Sequence, residues 1–205
     1  MVELTVSGLE KKYGRRTVFR DLELRCAGGE IAIVTGPNGS GKSTLLRTLA
    51  GLERPDAGTV HWSEHGRTWE RAERRRRIGF LSPDLTFYRE LTAVENLRFF
   101  ARLRGRPVAV AEIDTRLEEV GLGTRAGDRV AEYSTGMVQR LRLAFARLGS
   151  PPALLLDEPG QNLDRAGTAL ALELIAVARS EGCAIVVATT VETERELGDV
   201  EVRLG

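Results

Sequence analysis

Apolar positions along this chain recur with two periods, and the period changes from segment to segment. Val2–Val6 and Val18–Arg25 alternate apolar with polar residues, and Gly58-Thr-Val-His-Trp62 is a further short stretch of strand character. Glu30-Ile-Ala-Ile-Val-Thr35, Ile78–Leu81, Ala153-Leu-Leu-Leu-Asp157 and Cys183–Ala188 are apolar nearly throughout. Alternation predicts a strand with one buried face, and a short unbroken run predicts a strand buried on both. Helical spacing occupies Thr44–Ala50, the charged piece Glu70–Arg77, Val110–Val120, Gly136–Leu148 and Ala166–Arg179. Leu97, Phe100, Ala101 and Leu103 form another helical face behind Thr92-Ala-Val-Glu95, which fits a capping box. Gly28-Gly29, Gly105-Arg-Pro107 and Pro151-Pro152 punctuate these elements. Strands alternate with helices early and again in the C-terminal third, which predicts a parallel α/β core. Residues 82–128 are nearly all helical and are expected to form a separate lobe within one domain spanning 1–205.

The run ending at Thr35 leads into Gly36-Pro-Asn-Gly-Ser-Gly-Lys-Ser-Thr44, which then opens a helix. This is a complete GxxxxGK[ST] loop between a strand and a helix, the setting that phosphate binding requires. Glycines at 36, 39 and 41 permit positive φ and close backbone approach, so that consecutive N–H groups can curl around an anion. The helix adds the positive end of its dipole. Lys42 is expected to reach the β- and γ-phosphates, and the Ser43 hydroxyl to hold Mg²⁺. A nucleoside triphosphate is the expected ligand.

Composition narrows the setting. The chain has 205 residues, a net charge of +1 and 29% charged residues, so its overall balance implies neither nucleic acid nor an anionic membrane as a partner. Cys26 and Cys183 have no metal-ligand spacing and make no disulfide framework; they are expected to pack as small apolar residues in a reducing compartment. Met1–Val6 has no basic region before an apolar stretch, and nowhere do about 18 apolar residues run unbroken. A cytosolic protein is expected. Arg74–Arg77, interleaved with Glu70 and Glu73, reads as a solvated helix face.

Ala153–Leu156 ends in Asp157-Glu158. A P-loop protein needs a carboxylate at the end of a neighbouring strand to hold the Mg²⁺ water shell, and Asp157 fits that place. Glu158, one residue on, is placed to orient or deprotonate the attacking water.

Between these motifs, Tyr133-Ser-Thr-Gly-Met-Val-Gln-Arg140 opens a helix. Together with the P-loop, Asp157-Glu158-Pro159 and Asn162-Leu163-Asp164, it resembles the ATP-binding cassette of ABC transporters, over essentially the whole chain. Tyr133–Met137 is similar to that family's signature motif, usually LSGGQ. Tyr13 falls where the family stacks an aromatic on adenine, and 162–164 resembles its D-loop. The resemblance implies a parallel-sheet core, an N-terminal antiparallel β subdomain and a helical subdomain. It implies ATP and Mg²⁺ as cofactors, bound by Tyr13, Gly36, Pro37, Asn38, Gly39, Ser40, Gly41, Lys42, Ser43 and Thr44, with Asp157 on the metal. It also implies a pair of cassettes in which Ser134 and Gly136 meet the γ-phosphate of the partner's ATP. Separate membrane subunits would ride on that cycle, placing this chain at the inner face of the cell membrane. Thr92–Ala101 is similar to the haem-exporter ATPase of cytochrome c maturation and also to small drug or ABC-2-type exporter cassettes; an exporter subunit of undefined substrate is expected.

Three positions depart from the family pattern. Its glutamine after the strand Ile78–Leu81 aligns with Pro83, between Ser82 and Asp84. Its histidine follows the last core strand, which falls here on Ala184–Thr189, and is replaced by Thr190. The signature carries Thr135 and Met137 for glycine and glutamine, a YSxGM form that looks like export-type cassettes. His61 and His65, on an expected strand and turn, are read as surface residues. Lys42, Asp157 and Glu158 remain, so ATP binding with slow hydrolysis is expected. The alternative is a regulatory cassette with little hydrolysis, paired with a better-equipped one.

Overall fold

The computed structural model describes all 205 residues, Met1–Gly205. A long hairpin of β1 (Val2–Tyr13) and β2 (Arg16–Ala27) leads into β3 (Ile31–Thr35), the P-loop and α1 (Lys42–Leu49). β4 (Ala57–Glu64), the two-residue β5 (Arg67–Thr68), α2 (Arg71–Arg77) and β6 (Ile78–Leu81) follow. The middle of the chain holds α3 (Ala93–Leu103), α4 (Val110–Glu119), two single 3₁₀ turns and α5 (Thr135–Arg147). β7 (Ala153–Asp157), α6 (Arg165–Ser180), β8 (Ala184–Ala188), α7 (Glu192–Arg195) and β9 (Val200–Arg203) complete it.

Two sheets form. One is antiparallel, in the order β2-β1-β4-β5; the other is parallel, in the order β6-β7-β8-β3-β9. Two expectations change here. Cys183–Ala188 is not the last core strand, because β9 lies beside β3 at the sheet edge; its Val200-Glu-Val-Arg203 is half polar and too short to carry a pattern. The strand bearing Asp157 is not β3's neighbour, because β8 lies between β3 and β7.

Alternation along the parallel strands divides the core in two. Ile31, Ile33, Leu154, Leu156, Ile185 and Val187 point into a cluster with α3, α4, α5 and α6. Ala32, Val34, Ala153, Leu155, Ala184, Val186 and Ala188 point into a second cluster with α1 and the antiparallel sheet. Successive strand residues face opposite sides, and the smaller side chains fall on the α1 side. Three layers result: the antiparallel sheet with α1, the parallel sheet, and the helices. Buried residues of α3 and α4 belong to the same cluster as the sheet face, so residues 82–128 share its core.

Local signals hold at the helix starts. Thr92 Oγ1 accepts from Glu95 N at 3.2 Å while Glu95 Oε2 accepts from Thr92 N at 2.8 Å, the expected capping box. β1 extends seven residues past the alternating stretch, to Tyr13, because pairing with β2 continues through register shifts after Val6. α2 buries no residue, although Arg77 stacks over Trp69 at 4.6 Å and pairs with Glu64. His61 and His65 are exposed, on β4 and in the turn after it. Cys26 and Cys183 are free and buried; burial pushes their thiols up to about 11 and about 12.

Candidate functional site

At the C-terminal edge of the parallel sheet lies a cleft of about 720 Å³. Its lining comes from the β1–β2 hairpin (Tyr13, Arg16, Val18) and the P-loop (Asn38, Gly39, Gly41, Lys42, Ser43, Thr44). The end of β7 adds Asp157, and the loops after β6, β7 and β8 add Pro83, Glu158, Gly160, Gln161, Thr190 and Val191.

The P-loop takes its shape from its glycines. Gly36, Gly39 and Gly41 have φ of 144°, 81° and 104°. At Gly41 a methyl group would also overlap Val18 Cγ1, so both backbone and space require glycine. Gly41 opens α1 without any side-chain cap, whereas Thr92, Ser134 and Asp164 cap α3, α5 and α6. The first N–H groups of α1 therefore lack both intrahelical and side-chain partners, the arrangement that receives an anion.

Lys42 is buried, and its ammonium lies 2.9 Å from the Gly36 carbonyl, 3.4 Å from that of Pro37 and 3.8 Å from Glu158 Oε1. Asp157 is 2% exposed, and its Oδ2 has no hydrogen-bond partner. Burial pushes its carboxyl above the usual range, against the Ser43 hydroxyl bond and the charges of Arg47 and Lys42. A buried carboxylate oxygen without a donor, beside a serine hydroxyl, fits a divalent cation. No cluster of three His, Cys, Asp or Glu side chains exists, so such a cation would take its other ligands from phosphate and water, as Mg²⁺ does.

Glu158 stands just past the end of β7 in the left-handed region, at φ 49°. Burial raises its carboxyl, opposed by the Lys42 charge and by a hydrogen bond from the Thr190 backbone. Thr190 and Pro83, two of the positions that depart from the expected pattern, both line the cleft.

Tyr13 is half exposed at the end of β1. Its hydroxyl donates to Glu53 Oε2, and the Lys11 ammonium sits 5.2 Å from its ring centroid. Glu53 Oε1 holds Arg47 at 2.7 Å, and Arg47 reaches Thr44 Oγ1 at 3.3 Å and Asp84 Oδ2 at 3.6 Å. One chain of polar contacts thus runs from Tyr13 to Asp84, beside Pro83.

Other expected site residues lie elsewhere. Gly36 and Pro37 line an adjoining polar hollow with Thr189, Thr190, Arg195 and Arg203, and the buried Ser40 Oγ has no partner. Ser134 and Gly136 are outside the cleft at the head of α5, where Ser134 Oγ accepts from Met137 N at 3.2 Å and keeps its own hydrogen free to donate. Arg16 was not expected; its guanidinium donates to the Gly39 carbonyl at 3.1 Å. A cation three residues after the aromatic, at the start of an alternating strand, was the available signal.

The cleft can therefore hold a polyphosphate on backbone N–H groups and Lys42, a cation on Ser43 and Asp157, and an aromatic ring system beside Tyr13. Comparison with known proteins identifies the family. The family model described as ABC transporter matches residues 19–161. The lantibiotic transport ATP-binding protein SrtF of Streptococcus pyogenes is 34% identical over 193 residues, covering 94% of this chain and 82% of its own length. The daunorubicin resistance ATP-binding protein DrrA3 of Streptomyces coeruleorubidus is 42% identical over 168 residues, but this chain spans only 53% of it. ATP-binding proteins of sulfate/thiosulfate and zinc import match as well. A solved ATP-binding subunit of an ABC transporter superposes with a TM-score of 0.84 at 30% identity, covering 98% of this chain and 85% of that one. The chain belongs to the ABC transporter family, as an ATP-binding subunit built on the family's P-loop ATPase cassette.

Proposed function

We propose that this subunit hydrolyses Mg·ATP in the Lys42–Glu158 cleft and drives export through separate membrane subunits as one of a pair of cassettes. The observation that carries the reading is the convergence of Lys42, Ser43, Asp157 and Glu158 on one cleft from two strands that are not adjacent. The open N-terminus of α1 and Lys42 bind and orient the phosphates, while Tyr13 lies against the adenine. Ser43 and Asp157 would hold Mg²⁺, whose charge would offset that of the bound phosphates. Glu158 accepts the proton of the water that attacks the γ-phosphorus as the bond to ADP breaks. A positioned base of this kind contributes about 10²–10⁴-fold. Burial makes Glu158 more basic than a surface carboxylate.

Ser134 and Gly136 lie outside their own chain's cleft, which fits a role toward the γ-phosphate bound by a second cassette. Export is supported by the Tyr133–Met137 form and by what the lantibiotic and daunorubicin relatives are described as doing. Docking on a permease would place the chain at the inner face of the cell membrane.

A second reading, a regulatory cassette with little turnover, is favoured by one observation: Pro83 and Thr190 occupy the cleft where a glutamine and a histidine would stabilise phosphoryl charge. Sedimentation of Glu158→Gln with and without Mg·ATP, at high protein concentration, tests the paired state. A nucleotide-dependent dimer supports it, and a monomer under both conditions counts against pairing of this chain with itself.

A further inference from the structure

Glu158 needs support from outside its own loop, because a non-glycine residue persists at positive φ only where its surroundings over-determine it. Two buried polar side chains, neither in the cleft lining, supply that support. Gln139 of α5, 1% exposed, donates through Nε2 to the carbonyls of Glu158 at 3.1 Å and Pro159 at 3.0 Å. Arg142 fixes the orientation of that amide, donating to Gln139 Oε1 at 3.1 Å and to the Leu85 carbonyl at 3.0 Å.

On the other side, Glu194 of α7 is also 1% exposed, and its Oε1 accepts the Gly160 N–H at 2.9 Å. Its Oε2 has no hydrogen-bond partner. A methyl group at Gly160 would collide with Glu194 Oε1, although Gly160 is not at positive φ. What such a methyl group would meet is the carboxylate, and not backbone. Burying a carboxyl and an amide is costly unless they are bonded, and here both bond to the one turn that carries Glu158.

We propose that Gln139 and Glu194 are positioning residues for the Glu158 carboxylate, clamping the turn Glu158–Gly160 between α5 and α7. The proposal rests on the reading of Glu158 as the water-activating group. It also gives the pair of sites a mechanical link. Ser134 begins the helix that carries Gln139, so a contact at that end bears on the same helix that holds the carboxylate of the chain's own site.

The test measures amide exchange and kinetics on the full chain. Gln139→Met removes both donors at similar length, Glu194→Leu removes the acceptor, and Glu194→Gln keeps an oxygen for the Gly160 N–H. Exchange at the Gly160 and Gln161 amides should quicken about tenfold or more in Gln139→Met and Glu194→Leu, with exchange in β3 and α1 unchanged. Turnover of Mg·ATP should fall about tenfold or more, with ATP affinity within about threefold of the parent. Glu194→Gln should restore most of both. Unchanged exchange and turnover in either folded variant would overturn the clamp. Should Glu194→Leu fail to fold, Gly160→Ala, whose methyl meets Glu194 Oε1, carries the same comparison beside Gln139→Met. If the control Glu158→Gln turns over as fast as the parent, the reading of Glu158 fails instead, and the exchange rates still decide whether the turn is clamped.

Discussion

The Lys42 ammonium lies 3.8 Å from Glu158 Oε1, bridging the P-loop and the loop after β7 across the cleft. The residue that would neutralise phosphate charge thus sits beside the one that would take a proton from water. Their distance is short enough for the Lys42 charge to oppose the rise that burial imposes on the Glu158 carboxyl.

Removing that ammonium should remove nucleotide binding. Mg·ATP at about 100 times its dissociation constant should stabilise the parent by about 2.7 kcal/mol through mass action. Lys42→Ala should lose most of this thermal shift. A full shift in the variant would contradict the P-loop assignment.

Tyr13 presents a half-exposed ring held by Glu53. Tyr13→Ala should weaken ATP binding by about 0.5–1.5 kcal/mol, the range for an aromatic stacking contact. Binding of inorganic triphosphate should stay unchanged. Equal ATP affinity in variant and parent, by calorimetry, would leave Tyr13 a packing residue of the hairpin end.

Thr190 carries a short neutral hydroxyl where a histidine would donate. Thr190→His should raise turnover, since one donor aimed at developing charge is worth about 10²–10³-fold, with ATP affinity little changed. A parent rate ordinary for the family, unaltered or lowered by the histidine, would count against slow hydrolysis from a lost sensor.

Burial holds the Glu194 carboxyl above its ordinary value of 4.5, against the Thr189 hydroxyl and the Gly160 N–H, with the charge of Glu158 adding to the rise. The folded protein therefore binds this proton more tightly than the unfolded chain. Its contribution is complete below the ordinary value and is lost as pH rises through the folded-state value. Glu194→Gln cannot titrate. Denaturant unfolding should show the parent's stability relative to Glu194→Gln falling as pH rises from the ordinary value towards neutrality. A constant or rising difference would contradict the raised carboxyl.

How much was legible depended on whether a signal was local. The P-loop, Asp157-Glu158 and the box at Thr92–Glu95 are sequence-adjacent sets, and each forms where its spacing indicates. β9 escaped because an edge strand pairs on one side only and keeps polar residues at Glu201 and Arg203. The place of β8 between β3 and β7 is a matter of strand order, which no residue pattern encodes. The contacts of Arg16, Gln139 and Glu194 escaped for a third reason. Each acts on a backbone group 19 or more residues away, Gly39, Glu158 and Gly160 among them, and a lone polar residue in a helical or strand pattern does not announce its partner.

Phosphate release from Mg·ATP by the parent and by Glu158→Gln, with ATP binding measured on the same samples, tests the central claim most directly. Glu158→Gln keeps the shape of the side chain and removes the base. The account predicts ATP affinity within about threefold of the parent and turnover lower by about 10²-fold or more. Equal turnover in the two proteins would contradict it.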